Sequence, residues 1–203
     1  MRALILVDLQ NDFLPGGALA VADGDQTIAV ANALMDRFDH VVATQDWHPA
    51  EHQSFALHHE GRRPGELIEL HGLSQVLWPV HCVAGTPGSE FAPGLDVSKI
   101  DVVFQKGQDP TVDSYSGFFD NGRRHATGLG PHLRELGVHE VWVMGLATDY
   151  CVKWTALDAR ELGFEVVFVA DGSRGVGLSG TDVEDAIAAM KAKGIRVAES
   201  DDA

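Results

Sequence analysis

Residues 140–171 read EVWVMGLATDYCVKWTALDARELGFEVVFVAD. The first eight residues and the last seven are short, nearly continuous apolar runs, the pattern of strands buried on both faces. Between them, residues 150–162 are predicted to form a helix that stops at Gly163, a residue suited to the left-handed turn after a helix. Strand, helix, strand in this order is a parallel pair joined by a crossover helix.

The same rhythm continues outward in both directions. ALILVDL (3–9) predicts a first strand, and residues 25–38 carry helical spacing through Ile28, Ala31, Leu34 and Phe38. HVVATQD (40–46) and VVFQKG (102–107) are two further strands. A helix over 127–136 ends at Gly137, another over 181–193 ends at Gly194, and IRVAES (195–200) is a last strand. The fold class is therefore α/β: one three-layer α/β/α domain over residues 1–203, built on a mostly parallel sheet of about six strands.

Composition narrows the function. The chain has 203 residues, is 45% hydrophobic and carries a formal charge of -15, so it has a core but no basic footprint for nucleic acid. The start, MRALILVDLQ, is broken by Asp8 and reads as a strand and not as a signal peptide. No apolar run approaches the ~18 residues of a membrane span, so no membrane partner is expected. Two cysteines in separate segments make no disulfide framework, and a cytoplasmic location with free thiols is the expectation. The expected partner is a small molecule; assembly into a homo-oligomer is compatible with the chain.

In an open parallel sheet, ligands bind beyond the carboxyl ends of the strands. Asp8, Asp46 with His48, Lys106 and Cys151 all fall at such ends. Singly each is weak, since strand-end Asp residues usually cap turns and Lys residues usually reach for solvent. Cys151 has more behind it: Thr148 or Asp149 can cap a helix there, and unpaired N–H groups in the first turn favour an anion and a lowered thiol pKa. Asp8, Lys106 and Cys151 make a workable acyl-transfer set, with backbone N–H groups of Ala147 and Cys151 to cradle the oxyanion. Cys82, in WPVHCVAG, has no helix start beside it and reads as packing.

Residues 47–100 break the strand–helix rhythm and hold six of the ten histidines. In DWH, residues i and i+2 of an extended chain point the same way, so Asp46 and His48 present a carboxylate and an imidazole together. With His81 from the long segment they form a two-histidine-one-carboxylate set that keeps positions open for water or substrate. His52 is either an extra ligand or a turn residue.

Taken together, LVDLQNDF, GGAL, ATQDWHP, SFA, WPVHC, GTPG, QKG, DSYSGF, GLATDYCV, TALDA and RGV resemble the nicotinamidase branch of the isochorismatase-like cysteine hydrolases. They run in one order from residue 5 to about residue 176. The resemblance implies Asp8, Lys106 and Cys151 as the triad. It implies Asp46, His48 and His81 as ligands of one divalent metal ion, zinc first, with iron or manganese after it. The fourth metal position, a side chain or water in that family, stays unassigned. It also implies a cis peptide at Leu146–Ala147 and a ring pocket of Phe13, Leu19, Trp78 and Tyr115. Implied with these is hydrolysis of nicotinamide, and of pyrazinamide, to the acid and ammonia through a Cys151 thioester, in NAD salvage. Residues 57–77 depart most from the family pattern.

GVGLSG (175–180) fits a dinucleotide fingerprint but lacks the strand directly before it, so it reads as a loop before the last helix. Two rival readings remain. One is a related amidase for an N-carbamoyl or ureido substrate, which shares the triad and needs no metal. The other is a non-catalytic redox or metal-binding protein with Cys151 as a sensor.

Overall fold

The computed structural model describes residues 1–203. The N-terminal apolar run forms β1 (Arg2–Val7), and its side chains alternate with period two: Leu4 and Leu6 enter one core, Ala3, Ile5 and Val7 the other. α1 (Gln26–Met35) follows, then β2 (His40–Asp46), a hairpin of β3 (Leu67–Leu70) and β4 (Leu73–Val76), and β5 (Val102–Lys106). The second half runs α2 (Leu129–Glu135), β6 (Glu140–Leu146), α3 (Lys153–Glu161), β7 (Glu165–Arg174), α4 (Asp182–Ala192) and β8 (Arg196–Ala198). Six strands form one sheet in the order β5-β2-β1-β6-β7-β8, and every pairing in it is parallel. The expected α/β class is borne out, with a sheet wholly and not mostly parallel.

The apolar stripe of α1, Ile28, Ala31, Leu34 and Met35, covers one face of the sheet. Leu129 and Leu133 of α2, Ala156 and Ala159 of α3 and Met190 of α4 cover the other. This two-sided cover is why the central strands read as continuous apolar runs. The chain leaves β1 towards β2 and β5 on one side and reaches β6, β7 and β8 on the other. That reversal opens a crevice at the carboxyl ends of β1, β2 and β6.

Two local expectations are corrected. The segment at 148–152 starts as one π-turn, and α3 begins only at Lys153. No side chain caps it: the Asp149 carboxylate instead accepts the Val176 and Gly177 amides at 2.9 and 2.8 Å. The irregular stretch 47–100 also contains the β3–β4 hairpin. Its two-residue turn, His71-Gly72, has both φ angles positive (50 and 83°), the conformation that matches strand twist. A histidine there carries no strong turn signal, which hid the hairpin in the sequence.

Candidate active site

Asp8, Asp46 and Lys106 stand at or just past strand ends, Cys151 in the turn after β6, and His81 on the irregular segment after β4. Asp8 follows β1 with a left-handed φ of 50°, and Thr44 Oγ1 of β2 donates to its Oδ1 at 2.6 Å. Lys106 closes β5, and its ammonium is wholly buried. Nζ lies 2.9 Å from Asp8 Oδ2, 2.5 Å from Asp46 Oδ1, 2.8 Å from the Ser114 carbonyl and 3.4 Å from Cys151 Sγ. The Asp8 Oδ2 contact is an ion pair outside hydrogen-bond alignment, so that oxygen keeps a free lone pair. Carboxylate oxygens of Asp8 and Asp46 and Cys151 Sγ lie within 4.8 Å of one another.

Cys151 reaches this point because β6 runs close beside β1. A Cβ at Gly145 would lie 2.2 Å from the Val7 carbonyl, and φ there is 126°, so only glycine permits the approach. The Leu146–Ala147 peptide that follows is cis. The Ala147 amide has no acceptor within the fold and is free to donate to a ligand.

Electrostatics correct one expectation. Burial pushes the Cys151 thiol well above its ordinary value. Lys106 opposes this, while the Asp8 and Asp46 carboxylates add to it. The first-turn argument for a lowered pKa fails because burial penalises the thiolate and two carboxylates share the site. Burial, joined by repulsion from Asp46, also raises Asp8, against the pull of Lys106 and Thr44, and makes it a stronger base than a free carboxylate. Lys106 stays charged: burial alone would lower it, but Asp46 and Asp8 outweigh that and hold it well above its usual value.

The second set is equally ordered. His48 Nδ1 is 2.9 Å from the Gly107 carbonyl and His81 Nδ1 is 2.8 Å from the Pro79 carbonyl. A carbonyl only accepts, so both rings carry a proton on Nδ1 and direct Nε2 at Asp46 Oδ2, at 3.6 and 3.9 Å. Gly107 is required here, since a Cβ would stand 2.4 Å from His48 Cε1 at a φ of 69°. Burial works to raise Asp46, but Lys106 and His48 hold it well below the usual carboxylate range. His81 is lowered to about 4, by burial first and by His48 second.

Phe13, Leu19, Trp78 and Tyr115 all line one pocket with Asp46, His81, Ala147 and Cys151. Trp78 Nε1 donates to the Tyr115 hydroxyl at 3.2 Å, and Phe13 meets the His81 ring edge-on at 5.6 Å. A larger concavity of about 700 Å³, between Trp154 and Arg123, holds none of the reactive groups. Cys82 is buried and packed and GVGLSG is a loop, both as expected, but β7 runs to Arg174 and so does lie directly before that loop, contrary to the sequence reading.

Some contributors escaped the sequence reading. The Gln10 amide clamps Asp46 by accepting its N–H and donating to its carbonyl, both at 2.8 Å. Asp113, Tyr150 and Val176 also line the pocket. All four lie within strings quoted for the resemblance, LVDLQNDF, DSYSGF, GLATDYCV and RGV, which were the one signal available.

A buried thiol paired with a carboxylate and an ammonium, at the switch point of a parallel sheet, is the arrangement of a cysteine hydrolase. The chain belongs to the isochorismatase family: the isochorismatase domain matches residues 2–202. It is 53% identical to a nicotinamidase of Escherichia coli (strain K12) over 95% of this chain and 92% of that one. Among solved structures, a nicotinamidase/pyrazinamidase of Acinetobacter baumanii superposes with a TM-score of 0.96 at 46% identity, covering 99% of this chain and 97% of the other. A Pyrococcus horikoshii pyrazinamidase solved in complex with zinc superposes with a TM-score of 0.81 at 39% identity, covering 98% of each.

Proposed function

We propose that this chain hydrolyses nicotinamide to nicotinate and ammonia, and pyrazinamide likewise, in NAD salvage. One observation carries the reading: the Asp8–Lys106–Cys151 set and the Asp46–His48–His81 set open on a single aromatic-walled pocket. A rival N-carbamoyl or ureido amidase has no use for the second set, and a sensor thiol has no use for a ring pocket.

Cys151 Sγ attacks the amide carbon while its proton passes to Asp8. The Ala147 and Cys151 amides receive the oxyanion. As the C–N bond breaks, Asp8 returns the proton to the leaving amine, which departs as ammonia and leaves a thioester. Asp8 then takes a proton from water, the hydroxyl oxygen bonds to the acyl carbon, and the C–S bond breaks. That proton returns to the thiolate, releasing nicotinic acid, which gives up its own proton to solvent or ammonia and leaves as nicotinate. Lys106 keeps Asp8 oriented and balances two buried carboxylates throughout.

The second set suits a divalent cation, zinc first with iron or manganese after it. Two Nε2 lone pairs and one ionised oxygen converge, and each imidazole is fixed by a backbone carbonyl, the usual support for a metal-ligating histidine. When bound, a cation there offers an open position to the pyridine nitrogen. The side chains of Phe13, Leu19, Trp78 and Tyr115 then confine the ring so that the amide lies over Cys151. The test is ammonia release from nicotinamide by the purified, zinc-supplemented protein. Absence of release above a Cys151→Ala control would overturn the proposal.

A further inference from the structure

His52 takes no part in the steps above, yet its ring is fully buried and tilted against His48, with centroids 4.4 Å apart. Its Nδ1 lies 2.7 Å from Ser54 Oγ and accepts the Ser54 backbone N–H at 3.2 Å. An amide N–H can only donate, so Nδ1 holds a lone pair and the ring proton sits on Nε2. That Nε2–H makes no hydrogen bond of good geometry in the fold, although the Val112 carbonyl approaches the ring. Buried donors in native proteins are satisfied by protein, water or a ligand, so this one calls for an occupant. His48 and His81 have the opposite tautomer. Two of the three clustered histidines are therefore wired as ligands and the third as a donor.

Asp113 stands opposite. Ligand-type atoms of His48, His52 and Asp113 lie within 4.8 Å of one another. Two hydrogen bonds of about 2.8 Å meeting at a tetrahedral angle span about 4.6 Å, so a separation of up to 4.8 Å leaves room for one water. The buried Asp113 carboxylate accepts Gln75 Nε2 at 2.9 Å on Oδ2 and the Ser114 amide at 2.8 Å on Oδ1, which leaves lone pairs over. Gln75 comes from β4 and also reaches the Tyr115 hydroxyl at 3.3 Å. The same carboxylate is thus tied to the aromatic wall of the pocket.

We infer that His52 and Asp113 form an outer polar ring of the metal centre: they hold a water beside His48, His52 donating and Asp113 accepting, and neither coordinates the cation. The cation then has three protein ligands, and Asp113 strengthens its binding through a second nearby negative charge. The inference rests on the metal reading proposed above.

The test uses uniformly ¹⁵N-labelled wild-type protein titrated with zinc chloride and read by histidine-ring ¹H–¹⁵N spectra. His48 and His81 Nε2 should shift on zinc binding, while His52 keeps its proton on Nε2. Loss of that proton on zinc loading would make His52 a ligand and overturn the inference. No change at His48 and His81 would remove the metal reading and the inference with it. A second arm measures zinc affinity by competition with a chromophoric chelator. Asp113→Asn and His52→Ala should each bind zinc at least ~10-fold more weakly, and His52→Gln, which retains a donor, within roughly threefold of wild type. Wild-type affinity in Asp113→Asn, or a loss in His52→Gln as large as in His52→Ala, would overturn it.

Discussion

Lys106 and Asp46 meet at 2.5 Å inside the protein, so the ammonium of the proposed catalytic set is also the counter-charge of the proposed metal carboxylate. One cation joins the two halves of the site. With Asp8 2.9 Å away on the other side, its removal strands two buried carboxylates.

Lys106→Ala should therefore cost ~10³-fold in kcat and about 3–5 kcal/mol of stability in the metal-free protein. Zinc should restore part of the stability, because a cation at Asp46 replaces some of the lost charge, but none of the turnover. Urea unfolding with and without zinc, beside steady-state assays, measures both. Wild-type stability of the metal-free variant would mean that the carboxylates do not depend on this lysine.

Cys151→Ala should abolish turnover while nicotinamide still binds, as calorimetry can follow. Acid-quenched wild type should yield an acyl adduct on Cys151 by mass spectrometry. Since the resting thiol is protonated, Asp8→Asn should be as damaging as loss of the thiol itself, and the double variant should lose little more. Substantial turnover in Cys151→Ala would end the covalent route.

Benzamide has the amide and the ring size of nicotinamide but no ring nitrogen. It should react at least ~10²-fold more slowly in kcat/KM, a difference of about 2.7 kcal/mol in transition-state binding. Removing the metal, or replacing Asp46 and His48 by Ala, should collapse the ratio between the two substrates. A ratio that survives intact would assign recognition of the ring nitrogen to protein groups alone.

His81 supplies a pH signature. Its pKa falls from 6.5 to about 4 on folding, so between those values the unfolded chain binds more protons than the folded one. The metal-free protein therefore holds a contribution of about 3 kcal/mol that is present above the unfolded value and lost as pH drops towards the folded one. His48 moves the other way, burial lowering it but Asp46 raising it further, so its contribution is present at low pH and fades as pH rises. Comparing wild type with His81→Asn isolates the first effect: their stability difference should grow as pH rises from about 4 and level off above about 6.5. A difference independent of pH would show that His81 is not held neutral.

Asp149 holds the loop that carries Val176 into the pocket through two amide bonds, at 2.9 and 2.8 Å. Asp149→Asn retains one acceptor and loses the charge. KM should rise roughly tenfold with a smaller change in kcat, and amides of residues 175–177 should exchange faster with solvent. Unchanged exchange there would detach the loop from this carboxylate.

Much of this architecture was legible in the sequence because its causes are local. Apolar runs marked both-face burial in β1, β2, β6 and β7, and Gly137, Gly163 and Gly194, all with positive φ, marked the helix ends. The spacing of Asp46 and His48 put two polar groups on one side of the chain, and strand order brought Asp8, Lys106 and Cys151 to one edge. The hairpin around His71-Gly72 was hidden because its turn uses an uncommon residue pair. The reading of Thr148 and Asp149 as caps failed because Asp149 finds stronger partners in the amides of a distant loop.

The sequence by itself determined the order of elements, the parallel sheet and the residue types gathered at its carboxyl edge, since propensity, hydrophobic period and strand-end position act over a few residues. Only the tertiary structure decided the charge states and proton positions on which the chemistry turns. The Cys151 thiol is raised and not lowered because packing buries it, and two carboxylates at the ends of β1 and β2 add to that. Lys106 serves both sets because β5, β2 and β1 lie side by side. His81 and His52 take their tautomers from a carbonyl and an amide only two residues away, but His48 exposes Nε2 because the Gly107 carbonyl from a distant segment faces its Nδ1. Such contacts are set by packing between residues far apart in the chain, and in a low-dielectric interior a single neighbouring charge or dipole outweighs any intrinsic preference.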